Sequence, residues 1–278
     1  MKIKLRTIAL LLLLGAAAAI AFVQFGVYNV AATEQHTAPV YRLLEYAMRQ
    51  SVKWRADTIT VPDLTDEARV RNGLAHYRQH CLQCHGAPGV APDRFALSMM
   101  PAPATLVTTA RQWRPAELFW VIRTGIKMSG MPAWEYRLSE RELWDVVAFV
   151  ARLPMLSPRE YAAWSAQVAT PQQAEAVATS PLHGDARAGK RALHQYLCAT
   201  CHQIPGVTGA DKHVGPPLNG IATRKYLGGV VPNTPENMVS WLQDPQRFDP
   251  LSAMPNLGVT ERDARDIAAF LATLEDLD

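Results

Sequence analysis

Two stretches hold every cysteine of the chain: Cys81-Leu82-Gln83-Cys84-His85 and Cys198-Ala199-Thr200-Cys201-His202. Two thiols three residues apart, followed at once by an imidazole, form the attachment pattern for a c-type haem. Each sulfur adds across one vinyl group of the porphyrin, so the thiols must sit one short turn apart. The next residue then lies under the iron and supplies its proximal imidazole. The spacing therefore predicts two covalently bound haem c groups. Cys81 and Cys84 attach the first, and Cys198 and Cys201 the second. His85 and His202 are the proximal iron ligands.

Other uses of these cysteines fit less well. A disulfide framework suits small exported chains with little core, whereas this one has 278 residues and is 49% hydrophobic. Zinc sites built from two Cys-x-x-Cys pairs usually separate the pairs by about 15–20 residues, and here Cys84 and Cys198 lie far apart. A thioredoxin-like redox pair calls for a βαβ setting, and no such pattern is readable.

A haem iron with one imidazole still needs a sixth ligand. Met131-Pro132 and Met254-Pro255 each follow a haem motif. A thioether is neutral and soft, so it favours reduced iron and raises the potential. Proline pushes the residue before it out of helical geometry, which sets each sulfur on an extended loop. Met131 and Met254 are the expected distal ligands. Met128 is close to Met131 but has no proline after it. Met99 precedes another methionine, and Met100, though it precedes Pro101, follows His85 too closely. His36 reads as a linker residue, and His76, His80, His183, His194 and His213 as surface residues able to replace a methionine.

The elements that must position these ligands recur in the same order twice. A helix over Thr65–His80 enters the first motif, and one over Asp185–Leu197 enters the second. A loop rich in proline and glycine follows each. A middle helix comes next, Pro115–Ile126 or Pro235–Gln243, with proline in the tolerant first turn. After the methionine, each half closes with a helix whose hydroxyl cap is followed three residues later by an acid: Ser139-Glu142 and Thr260-Asp263. The closing helices align without a gap from Ser139/Thr260 to Leu153/Leu274, with Asp145/Asp266 and Phe149/Phe270 coinciding. The chain is an internal duplication.

Helix, haem motif, loop, helix, Met-Pro and capped final helix, twice over, make each half resemble a class I cytochrome c domain. The second half is also similar to mitochondrial-type cytochromes c, through Gly215-Pro216-Pro217-Leu218, Gly220, Arg224, Tyr226, Gly228 and Ala253-Met254-Pro255. The first half departs from that subtype, with Met100-Pro101-Ala102-Pro103-Ala104-Thr105-Leu106 in the loop. The arrangement as a whole is similar to membrane-anchored two-haem cytochromes c of proteobacteria. The resemblance implies that the Pro216 carbonyl accepts from the second ring nitrogen of His202. In the first half, the loop near Pro101 or Pro103 takes that part. It also implies a haem-propionate contact for Arg224 and Tyr226, beside the plainer reading of loop packing. Trp120, Trp134 and Trp241 are expected walls of the haem pockets.

The N-terminus places this machinery. Lys2, Lys4 and Arg6 precede an uncharged stretch from Thr7 to Thr33. About 20 apolar residues span a bilayer, and the basic end stays cytoplasmic. A retained anchor is the favoured reading. A cleaved signal peptide, with Val30-Ala31-Ala32 as its cleavage site, is the rival. Either one exports the rest. Over Pro39–Asp57, Val40, Leu43, Leu44, Ala47, Met48 and Val52 recur at helical spacing. This helix either lies on the outer membrane surface or packs on the first haem domain. The net charge of +3 equals the contribution of Lys2, Lys4 and Arg6, so the rest of the chain is balanced. Nucleic-acid binding has no electrostatic footprint.

The expected fold is all-α: two tandem class I cytochrome c domains behind a transmembrane helix. The boundaries are 1–33 for the anchor, 34–62 for the amphipathic linker helix and 63–156 for the first domain. A linker fills 157–183, with its prolines and small residues, and the second domain is 184–278. The function expected is electron relay at the outer, periplasmic face of the bacterial cytoplasmic membrane. Electrons pass from a quinol-oxidising complex or dehydrogenase to a terminal oxidase or reductase. Membrane lipid and those redox proteins are the partners. A haem enzyme, either a two-haem peroxidase or a thiosulfate-oxidising cytochrome, is the alternative that needs one open iron position. A dedicated subunit of a dehydrogenase or oxidase complex is the other.

Overall fold

The first described helix covers much of the uncharged run. Leu5–Gln24 is α1, and its span Arg6–Gln24 is long and apolar enough to cross a membrane and is not buried among the described residues. At about 1.5 Å per residue this length matches a hydrocarbon core of about 30 Å. The computed structural model describes residues 5–168 and 184–275. The helix stops well short of Thr33. Gly26 takes a left-handed conformation (φ 59°), and Tyr28 Oη then meets His36 Nδ1 at 2.6 Å, so the chain turns.

The second helix, α2, covers Ala38–Ala56, with Pro39 in its first turn. It buries Val52 and Ala56 and packs on α4, Pro115–Thr124. Between them, α3 runs over Glu67–His80. It starts two residues later than the expected Thr65. The Asp66 side chain accepts from the Ala68 N–H and takes the cap, while Thr65 is held by Asp63. The closing helix of the first half is α5, Glu140–Arg152. In the second half the counterparts are α7, Ala186–Gln195, α8, Pro235–Gln243, and α9, Glu261–Leu271.

One device closes both halves. An ideal Cβ on Gly73 would lie 1.8 Å from the Asp145 carbonyl oxygen of α5. On Gly189 it would lie 1.9 Å from the Asp266 carbonyl oxygen of α9. Only glycine lets the entry helix approach the closing helix this closely. Large side chains fill in behind each crossing: Leu74, Tyr77, Phe149 and Leu153 in one, Leu193, Tyr196 and Ile267 in the other, all nearly inaccessible. Burying each is worth about 1.5–3 kcal/mol. The buried carboxylates at the crossings are both satisfied, as buried charge requires. Asp145 pairs with Arg69 at 3.2 Å, and Asp266 accepts from the Asp185 N–H at 2.7 Å.

The architecture is mostly helical, as the duplicated pattern predicts. The described exception is a ribbon, Tyr226–Leu227 (β1) against Val231–Pro232 (β2), antiparallel with Leu227 opposite Val231. Gly228 and Gly229 turn it, both at positive φ.

The expected linker over 157–183 differs at its start. Pro158–Gln167 is a helix, α6, opened by a reciprocal Ser157/Glu160 capping box. Tyr161 is buried. Arg78 of α3 donates to the carbonyls of Ser165 and Val168, and Arg71 stacks on Trp164 at 4.7 Å. These residues belong to the body of the first half. The remainder of that linker, and His183 with it, lies outside the described residues. Contacts divide the molecule into two units. One runs up to Pro132 and resumes at Trp144. The other combines Ala133–Leu143 with the C-terminal half.

Candidate metal centres

Each cysteine pair sits at the end of an entry helix. In the first half, the chain past α3 makes one further helical turn, Leu82–His85. The Cys84 and His85 N–H groups both donate to the Cys81 carbonyl, at 3.1 and 2.9 Å. In the second half, Cys201 and His202 donate to the Cys198 carbonyl, at 3.2 and 3.0 Å. One short turn therefore carries both thiols and the imidazole, twice. None of the four cysteines pairs in a disulfide. Burial pushes Cys81 up to about 12 and Cys198 up to about 11. Among the described residues, no three of His, Cys, Asp and Glu gather as a metal site of the zinc type.

Both imidazoles are oriented from behind. His85 Nδ1 donates to the Ala104 carbonyl at 2.7 Å, and His202 Nδ1 to the Pro216 carbonyl at 2.8 Å. This fixes the tautomer and leaves Nε2 for a metal. Burial also lowers the His85 pKa, outweighing the Ala104 bond that raises it. Burial thus favours the neutral ring, the form that a metal ligand needs. The second loop is zipped onto its motif. Gly215 donates to the Cys201 carbonyl and Leu218 to that of Gln203, both at 2.8 Å. An ideal Cβ on Gly215 would lie 2.4 Å from His202 Cε1, so glycine is required against the ring face. In the first half the acceptor is the residue after Pro103.

The two methionines share a local setting that the sequence did not advertise. The Met131 N–H donates to Ser129 Oγ at 3.2 Å, and the Met254 N–H to Ser252 Oγ at 3.3 Å. A serine two residues ahead thus ties each turn; the common Ser-x-Met-Pro string was its only signal. Gly125 (φ 65°) supports the first, since a Cβ there would lie 2.6 Å from the Met131 carbonyl oxygen. Met131 and Met254 are both half-buried. Met128 is 95% exposed, at φ 58°. Met99 packs its methyl on Gly130.

Other expected site residues are placed as follows. Arg224 donates to the carbonyls of Pro217 and Asn219, at 2.5 and 3.0 Å. Asn233, not singled out from the sequence, braces the same loop through the carbonyls of Ile221 and Arg224. Tyr226 is exposed on β1. Trp241 lies over Gly228, where a Cβ would sit 2.4 Å from its ring. Trp120 is half-buried on α4, and Trp134 lies in a short turn, Trp134–Tyr136. Trp144 stacks on Phe119 at 4.0 Å. His76 and His80 stack on each other, while His194 and His213 are exposed.

These residues fit a haem c. In the second unit Cys198, Leu218, Trp241 and Met254 pack against the core yet stay only partly buried. A thiol and a thioether thus border an apolar surface that a flat apolar group would cover. The donor set of imidazole and thioether suits iron of a c-type haem.

Residues 68–150 match the family model described as cytochrome c oxidase, cbb3-type, subunit III. Residues 186–275 match that described as cytochrome c. The chain is 26% identical over 125 residues to cytochrome c oxidase subunit 2 of Alkalihalophilus pseudofirmus. The aligned part is 45% of this chain and 34% of that relative. No solved structure matches.

Proposed function

We propose that this chain, which carries two tandem c-type cytochrome domains, relays electrons through two covalently attached haem c groups at the outer face of the cytoplasmic membrane. The donor is a quinol-oxidising complex or dehydrogenase, and the acceptor a terminal oxidase or reductase. One observation carries the reading: each half pairs a carbonyl-held imidazole behind Cys-x-x-Cys with a serine-tied Met-Pro turn further along. Bound haem iron would supply a one-electron ferrous–ferric couple.

The chain's own part is to hold that couple still. Cys81, Cys84, Cys198 and Cys201 would hold the porphyrin covalently. Ala104 and Pro216 lock His85 and His202 in one tautomer. Met131 and Met254 would supply neutral sulfur as the second protein ligand of each iron, the donor that favours a stable ferrous–ferric couple. A haem enzyme needs one open iron position, and two like halves give no reason for one unlike site. The retained α1 would tether the haem domains near membrane donors and acceptors. The matches to oxidase subunits favour a second form of the same role, in which the chain is a dedicated subunit of an oxidase complex.

The test is ligand access. Purified protein should give two haems per chain by pyridine haemochrome assay, both resisting acid–acetone extraction. The reduced spectrum should not change under carbon monoxide. Carbon monoxide binding in the untreated protein, together with enzyme-like turnover of peroxide or thiosulfate, would overturn the relay reading.

A further inference from the structure

Helix α2 packs by only one of its faces. Val52 and Ala56 are buried, and Arg49 lies over the Trp113 ring at 4.9 Å on that same side. Turned away from Val52, Leu43, Tyr46 and Trp54 are 67, 65 and 77% exposed. At 3.6 residues per turn these three fall on one stripe together with Ala47 and Gln50. Arg42 and Lys53 border the stripe. Arg55 stands over the Trp54 ring at 5.4 Å.

The composition of this face suits a lipid boundary. Tyrosine and tryptophan prefer the interface between hydrocarbon and water, where an apolar ring and a polar tip are both satisfied. A helix with such a face and basic residues beside it lies in the interface plane. The chain also brings α2 to a membrane. The candidate span ends at Gln24 and α2 begins at Ala38. Residues 25–37 could reach roughly 45 Å if extended. The turn at Gly26 and the Tyr28–His36 contact draw them in. Within that link Phe25, Val27 and Val30 are also exposed, at 80, 63 and 90%.

We propose that α2 lies in the lipid–water boundary of the membrane that α1 spans. Leu43, Tyr46 and Trp54 insert among the acyl chains and headgroups, and Arg42 and Lys53 meet anionic lipid phosphates. The proposal rests on reading α1 as a retained anchor. It goes further by holding the first haem domain in a set attitude to the membrane, since α2 packs on α4 of that domain. The haem there is thus not on a loose tether.

The experiment uses the full chain in vesicles of phosphatidylcholine with phosphatidylglycerol. Carbonate washing first tests the anchor. Tyr46→Cys is then labelled with an environment-sensitive fluorophore, and Leu251→Cys, 94% exposed in the second unit, is the control. Lipids brominated near the headgroup should quench the label at position 46 and spare the one at 251. Quenching should fall about twofold when phosphatidylglycerol is omitted, or when Arg42→Gln and Lys53→Gln are combined, because basic residues draw such segments to anionic lipid. A chain that survives carbonate but gives an unquenched label at position 46 overturns the proposal and leaves the anchor standing. An unquenched but blue-shifted label means that protein covers the face instead, which also overturns it. Release by carbonate overturns the anchor and this arrangement together.

Discussion

Met254→Ala and Met131→Ala should each remove about half of the weak red-edge absorbance that a methionine thioether gives on ferric haem. The two turns are built alike, so neither site should dominate the band. Each methionine is half-buried, and each backbone N–H is tied to a serine hydroxyl. Removing the thioether takes away the neutral, soft ligand that favours ferrous iron, so the potential of the affected haem should fall. The double variant should lose the whole band and gain carbon monoxide binding at both irons. Met128→Ala is the control. Its side chain is 95% exposed and its backbone sits at φ 58°, so the band should stay intact. An intact band in Met131→Ala, with half lost in Met128→Ala, would reassign the first distal ligand.

Gly189→Ala and Gly73→Ala should each destabilise their half by about 3 kcal/mol or more. The sign is opposite to the usual one, because glycine within a helix is worth about 1 kcal/mol less than alanine. The reason is the crossing. The added carbon would lie 1.9 Å from the Asp266 carbonyl oxygen in one half and 1.8 Å from that of Asp145 in the other. These neighbours are backbone atoms, so no rotamer change relieves the clash and the helices must separate. Separation would also pull on the pairs Arg69–Asp145 and Asp185–Asp266, each with one buried carboxylate. Urea unfolding followed by helical circular dichroism should show the altered half melting earlier while the other keeps its midpoint. An unchanged midpoint would mean that the crossings are looser than described.

The sequence was most legible where a short string carries its own chemistry or its own hydrogen bonds. The middle helix of the second half, Pro235–Gln243, falls where its proline and apolar spacing put it. The closing helices start after Ser139 and Thr260, as capping side chains dictate. Legibility failed where two local signals competed. Thr65 and Asp66 both suit a cap, and only the fold shows that Asp63 claims the threonine. It also failed where composition outweighed a motif. Ser157-Pro158-Arg159-Glu160 is a complete helix start, but the small residues after it read as a linker. The partner of His85 was not legible because its acceptor is a backbone carbonyl of an alanine. Any residue type offers that group, so nothing in the string marks Ala104. The setting of Met131 and Met254 hid for a similar reason: serine two residues ahead is common, and only its repetition in both halves is informative.

The central claim is that each half holds one redox-active haem. A reductive titration of the purified full chain, followed at the haem α band under anaerobic conditions, tests it most directly. The account predicts uptake of two electrons per chain, with the band rising in proportion throughout. Uptake of one electron, or completion of the band while one haem remains oxidised, would contradict it.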